Sequence, residues 1–467
     1  MMTRRVLMTS SLMAALAAFA GMDSPAQKQV PPEGGPAKAF TVPASESYTL
    51  PNGLRVTLVP YGNIPKLTVD LTIVAGSADE GRDHQGVADL AAELMKEGTE
   101  TLTAGQLAEE AARMGSGLDV STSYDRTDAR LDVLSEFGPQ AVRLLADVVM
   151  HPRLPGAELD RLKNNKLRQI ALGGSQPQTV ALVRFRKLLY GDHPYSVVLP
   201  PEDDVKKISV QDVKSYMAAN FNPKRSHLYL AGKFDVAAIK KAIDDSLGKW
   251  SATGPARATS VPKPNMQRLL DVTDRSGAPQ STIIIGLPVA SADNKDAIAL
   301  QVTNALLGGS FNSRITANIR EQKGYTYSPF GTISSRYRDS YWAEQADVTT
   351  KYTGASLKEI IAEMNRLASE APSAVELKGI QKYLSGLFIL RNSSRGALIA
   401  QLQNVDALGL GDDYIETYVA RVNAVTPEDV QKMTSRYLKA SSMTIVVVGD
   451  KSKITEELTP FESGKAL

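Results

Sequence analysis

The stretch from Ile208 to Phe221 reads I-S-V-Q-D-V-K-S-Y-M-A-A-N-F, and Val425 to Leu438 reads V-T-P-E-D-V-Q-K-M-T-S-R-Y-L. Each runs into an apolar strand closed by glycine and a polar residue, H-L-Y-L-A-G-K from His227 and T-I-V-V-V-G-D from Thr444. Asp212 aligns with Asp429 and Gly232 with Gly449, an offset of 217 both times (429 − 212 and 449 − 232). A helix leading into a buried strand thus recurs at one spacing, so one fold is present twice.

The rest of the chain fits two copies. Alternating apolar residues mark strands at Leu54–Val59 and Leu67–Val74 in the first copy, and Ser281–Gly286 reads as the opening strand of the second. Helical spacing marks Thr103–Met114, with a capping box from Thr103 to Gln106, and Ala141–Met150; Leu357–Leu367 and Ala374–Leu390 read as their counterparts. Strands mixed with runs of helices predict an α+β sandwich in each half, an antiparallel sheet with helices packed on one face. Single cores stop growing at about 250 to 300 residues, so 467 residues require more than one domain. The expected division is an N-terminal domain over 46–250, a linker rich in Pro, Ser and Ala over 251–266, and a C-terminal domain over 267–467.

The first twenty residues carry a basic start, an apolar run from Leu12 to Ala20 and a small-x-small end, the pattern of a signal peptide and too short for a membrane span. Thr3-Arg4-Arg5-Val6-Leu7-Met8 also resembles a twin-arginine export signal, and residues 21–45 read as a flexible lead. The expected address is periplasmic. With 53 basic and 51 acidic residues and no basic block, nucleic acid is not an expected partner. The absence of Cys excludes disulfides, thiolate metal sites and thiol catalysis.

Gly86 to Thr99 reads G-V-A-D-L-A-A-E-L-M-K-E-G-T. It resembles the G-L-A-H-L-L-E-H-M-L-F-K-G-T run of the insulinase or pitrilysin family of zinc peptidases, in which two His four residues apart bind zinc and a Glu acts on the metal-bound water. In that register Asp89 takes the first His position, Ala92 the general-base position and Glu93 the second His position. The family's third ligand lies in a helix resembling E-R-x-x-V-L-E-E-I; Leu162–Ile170 reads L-K-N-N-K-L-R-Q-I and puts Arg168 and Gln169 at the carboxylates. An Asp89–Glu93 pair alone is a poor cage for a hard cation, which takes six or more oxygens. His84, His151, His193 and His227 are scattered and read as turn, cap or surface residues. No metal is expected in this chain.

The second half keeps a motif. Leu306 to Ser328 reads L-L-G-G-S-F-N-S-R-I-T-A-N-I-R-E-Q-K-G-Y-T-Y-S and resembles the family's G-G-x-x-S-R-L-x-x-x-I-R-E-x-x-G-x-x-Y. A helix is expected over about Asn312–Lys323, stopped by Gly324 in a left-handed turn. The resemblance implies two homologous domains facing a chamber. It gives Arg320 and Tyr327 the task of holding the substrate backbone near the zinc of a partner domain, and Gly308 and Gly309 the start of a glycine-rich loop that contacts substrate. The function so implied is a non-catalytic, substrate-binding subunit that completes a peptidase with a zinc-bearing homologue. The alternative is a non-enzymatic peptide-binding or scaffold protein on the same fold.

Overall fold

Both halves build the same sheet in the same order. The computed structural model describes residues 43–251, 254, 257 and 260–462, so the signal segment and nearly all of the lead lie outside the described residues. The first half runs β1 (Glu46–Thr49), β2 (Arg55–Pro60), β3 (Lys66–Ile73), α1 (Val87–Met95), α2 (Ala104–Arg113), β4 (Asp119–Thr122) and β5 (Thr127–Leu134). It continues with α3 (Gly138–Met150), α4 (Gly156–Ser175), α5 (Pro177–Tyr190), α6 (Glu202–Lys207), α7 (Val210–Asn220), β6 (Ser226–Gly232) and α8 (Val236–Asp245). The second half runs β7 (Leu269–Asp274), β8 (Gln280–Val289), α9 (Ala297–Asn304), α10 (Arg314–Thr316), β9 (Phe330–Arg336) and β10 (Asp339–Thr349). Then follow α11 (Thr353–Ser369), α12 (Ala374–Arg391), α13 (Arg395–Leu408), α14 (Tyr414–Ala424), α15 (Pro427–Tyr437), β11 (Thr444–Gly449) and α16 (Lys451–Leu458).

The sheets are ordered β1-β2-β6-β3-β5-β4 and β7-β11-β8-β10-β9, identical apart from the added edge strand β1. Pairing is antiparallel except for β2 with β6 and β7 with β11. The repeat seen at Ile208 and Val425 becomes α7–β6 and α15–β11, and both helices open with a capping box, Ser209 with Asp212 and Thr426 with Asp429. Two expectations need correction. Ser281–Gly286 is the second strand of its copy, within β8; the opening strand is β7, half-buried at the sheet edge and weakly alternating. By element order the counterpart of Ala141–Met150 is α11, and that of Thr103–Met114 is the helix at Arg314.

Each sheet packs its own helices on one face, and the opposite face receives a helix from the other half. Helix α5 lays Ala181, Phe185 and Leu189 against Ile284, Tyr341 and Val446 of the second sheet, with Arg184 paired to Asp271 at 2.7 Å and Gln178 donating to Asp347 at 2.9 Å. Helix α13 lays Leu398 and Ile399 against Val59, Tyr229 and Ala231 of the first. The joint at α13 is otherwise polar: Gln403 Nε2 donates to Thr72 Oγ1 at 2.7 Å, and Arg395 pairs with Asp132 at 3.1 Å. Asp406 accepts from Arg55 at 3.1 Å, from His227 Nδ1 at 2.6 Å and from the Tyr229 hydroxyl. His227 is therefore a buried joint residue, not a surface, turn or cap residue; the alternating run that buries β6 on both faces conceals this. The segment between the halves is pinned at Arg257, which pairs with Asp79 at 3.1 Å and Asp125 at 2.9 Å.

Candidate functional site

Helix α1 carries the zinc frame, and its buried face explains why the frame outlives the chemistry. Val87, Ala88, Leu90, Ala91, Ala92, Leu94 and Met95 are all in the core of the first half. Ala92, at the general-base position, is 3% exposed and packs as an apolar residue. Asp89 accepts a salt bridge from Lys166 Nζ on α4, and Glu93 pairs with Lys96 at 2.8 Å one turn along its own helix. Glu80 closes the helix N-terminus, taking the Gly86 N–H at 2.9 Å and the Ala88 N–H at 2.8 Å. Burial pushes its carboxyl up to about 7; the two N–H donors oppose the shift, as does Lys166, while Asp89 adds to it.

A zinc ion does not fit these residues. Nitrogen ligands are missing from α1, and the Asp89 carboxylate is already paired with an ammonium. Arg168 and Gln169 lie on the exposed side of α4, and Arg168 donates to Asn165 of its own helix. The residue that reaches the former ligand position is Lys166, two positions earlier, which the linear match does not single out because it falls at the motif's apolar position. No group of three or more His, Cys, Asp or Glu among the described residues is placed to hold a metal.

In the second half the motif folds so that Arg320 and Tyr327 lie side by side. Ser313 caps α10 and the chain continues as a π-wound stretch, Ala317–Gln322, that carries Arg320; Gly324 ends it at φ +62°, a conformation that glycine adopts without strain. The Arg320 guanidinium lies 5.2 Å from the centre of the Tyr327 ring and 4.2 Å from that of Phe311, and its Nε is 3.2 Å from Glu321. The two residues singled out in the sequence are thus brought together, and Phe311 joins them. Tyr327 is 82% exposed and Phe311 68%, large apolar surfaces that a monomer usually buries. Gly308 and Gly309 are not the start of a loop: they close a π-wound extension of α9, Ala305–Gly309, and the chain turns extended only at Ser310. Beneath them Glu344 of β10 is completely buried; a Cβ at Gly308 would collide with its Oε2, and one at Gly331 would come within 2.7 Å of it. Phe311 and Glu344 escape sequence reading, the first because a lone aromatic beside Gly-Gly has no periodic signal, the second because Glu in a strand reads as an outward residue.

Comparison with known proteins settles the family. The model "Insulinase (Peptidase family M16)" matches residues 56–197, and "Peptidase M16 inactive domain" matches residues 207–384. This chain belongs to the insulinase family. Among curated relatives, the Bacillus subtilis "Uncharacterized zinc protease YmxG" is 25% identical over 82% of this chain and 93% of its own. The Helicobacter pylori "Non-peptidase homolog YmxG" is 23% identical over 84% and 90%. The beta subunit of the Saccharomyces cerevisiae mitochondrial-processing peptidase is 23% identical over 88% and 93%. Among solved structures, a peptidase M16 inactive domain from Pseudomonas fluorescens has a TM-score of 0.81 at 22% identity, covering 87% of this chain and 98% of that one. A Helicobacter pylori protease has a TM-score of 0.80 at 20% identity, covering 88% and 100%. The fold of this insulinase-family member is that of these neighbours. No helix among the described residues is long and apolar enough to cross a membrane.

Proposed function

We propose that this chain is the non-catalytic, substrate-binding subunit of an exported zinc peptidase, working in the periplasm beside a homologous subunit that bears the H-x-x-E-H motif. The observation that carries the reading is the contrast between halves: Lys166 neutralises Asp89 at the former metal position, while Arg320 stands between two exposed aromatic rings. In this division of labour the partner supplies the metal and the general base. Arg320 supplies planar donors for a peptide carbonyl or carboxylate, and Tyr327 a phenol that can donate to developing negative charge. The exposed Phe311 and Tyr327 rings would then be covered by substrate or by the partner. The name of the Helicobacter pylori relative, a non-peptidase homologue, accords with a chain that does no hydrolysis alone. Export rests on the pattern of residues 1–20.

The test is affinity purification of the tagged chain from its native host. A co-purifying chain of similar length with H-x-x-E-H, and peptide hydrolysis that appears only in the pair, is the expected result. Purification as a lone chain, or hydrolysis by the lone chain, would refute the reading.

A further inference from the structure

Glu344 is the least explained group in the molecule. It lies mid-strand in β10, opposite Ile285 of β8 and Gly331 of β9. Trp342, two residues earlier and so on the same face, satisfies its indole N–H on Asn304 Oδ1 at 2.8 Å, and Asn304 Nδ2 reaches Gly331 O at 3.3 Å. Neither Glu344 carboxyl oxygen has a hydrogen-bond partner among the described residues. Burial alone holds the carboxyl well above its ordinary range. A leucine in its place would avoid the penalty of a buried polar group without a partner. A carboxyl retained against that cost calls for a function.

Its cover indicates one. The atoms nearest the carboxyl include glycine backbone from two directions, Gly308 and Gly331; a side chain at Gly308 would meet Glu344, and one at Gly331 would meet both Glu344 and the Gly308 backbone. Gly308 lies in the π-wound stretch Ala305–Gly309, a winding that occurs frequently at functional sites. Near the same glycines in sequence stand two exposed aromatics, Phe311 three residues after Gly308 and Tyr327 four residues before Gly331; Phe330 is exposed too but, one residue along the strand from Gly331, points to the opposite face of the sheet. Phe311 and Tyr327 already hold a guanidinium, that of Arg320. A carboxyl without a partner, close in sequence to rings that already hold one guanidinium, suits a cation.

We propose that Glu344 is the counter-ion for a basic side chain of the bound peptide, which enters where Gly308 and Gly331 now meet. The inference rests on the substrate-binding reading of this half and adds its substrate class: peptides with an arginine or lysine at the position facing the glycines.

The test is fluorescence anisotropy on the full chain, alone or with its partner, using a labelled extended peptide with a single arginine and the same peptide with citrulline. Wild type should prefer arginine by on the order of tenfold. Glu344→Gln, nearly isosteric, should abolish the preference while citrulline binding stays unchanged. Glu344→Leu should also abolish it and should melt at a higher temperature than wild type, which separates lost recognition from lost folding. Equal binding of the two peptides to wild type, or a preference that survives in Glu344→Gln, overturns the proposal while leaving the substrate-binding reading intact if Arg320→Ala weakens both peptides. Failure of both peptides to bind overturns both.

Discussion

Lys166 on α4 donates its ammonium to Asp89 on α1, the side chain at the first metal-ligand position of the family's motif. An internal cation thus occupies the electrostatic place of an external one. The exchange explains why the helix pair still packs: α1 keeps its buried apolar face, and the Asp89 carboxylate keeps a positive partner.

Removing the ammonium should cost little, because both groups are partly in water. Lys166→Ala is expected to destabilise the chain by about 1 kcal/mol, less in high salt. Urea unfolding at two salt concentrations measures it, and a double-mutant cycle with Asp89→Ala should recover most of the loss as coupling.

Rebuilding the metal site requires Lys166 to go. Asp89→His, Ala92→Glu and Glu93→His together should leave the chain without stoichiometric zinc, because an ammonium faces the site. Adding Lys166→Glu supplies a third ligand and should bring about one zinc per chain. Elemental analysis after dialysis decides; zinc bound equally with Lys166 in place would refute the substitution of one cation by another.

The duplicated architecture is legible in the sequence because α7–β6 and α15–β11 keep both their caps and their buried strands at one spacing. Strand β7 is not, since L-L-D-V-T-D alternates poorly and only its parallel pairing to β11 makes it a strand. The Arg320–Tyr327 pair is legible from the motif, whereas Lys166, Phe311 and Glu344 depend on which helices and strands meet, which no local pattern records. The exchange of α5 and α13 between halves is hidden for the same reason: an amphipathic helix does not announce whose sheet it covers.

The polar joint under α13 should make stability fall as pH rises. Burial, and then the nearby Asp128 carboxylate, pushes Asp70 up to about 7, and one of its oxygens has no partner among the described residues. An acid raised in the folded state contributes stability that is complete below its unfolded pKa of about 3.9 and is lost as pH climbs through the folded value. Asp70→Asn should therefore flatten the decline between about pH 4 and pH 7 and melt no lower than wild type at pH 8. A steeper decline in the variant, seen by calorimetry across pH, would contradict the assignment.

Asp406 fastens the same joint with the opposite sign. Hydrogen bonds from His227 and Tyr229, with the charges of His227 and Arg55, outweigh burial and hold its carboxyl down at about 2. Its stabilisation is present above pH 4 and lost as pH falls towards 2. Asp406→Asn at neutral pH should cost about 2 kcal/mol, discounted for partial exposure. Hydrogen exchange should then rise in α13 and β6 and not in α5 and β11, whose joint does not involve Asp406.

Arg320 should resist conservative replacement. Arg320→Lys keeps the charge but loses the plane that lies against Phe311 and Tyr327 and the paired donors. In the complex with a zinc-bearing homologue, kcat/KM should drop by about tenfold for Lys and on the order of a hundredfold for Ala.

The most direct test of the central claim is the rate of peptide hydrolysis by that complex with wild-type or Arg320→Ala chain, measured beside each subunit alone. A subunit that lends substrate grip to a partner's zinc predicts no hydrolysis by this chain alone, hydrolysis by the pair, and a loss of about a hundredfold in the Arg320→Ala pair with assembly intact. Equal rates from wild-type and Arg320→Ala pairs would contradict it.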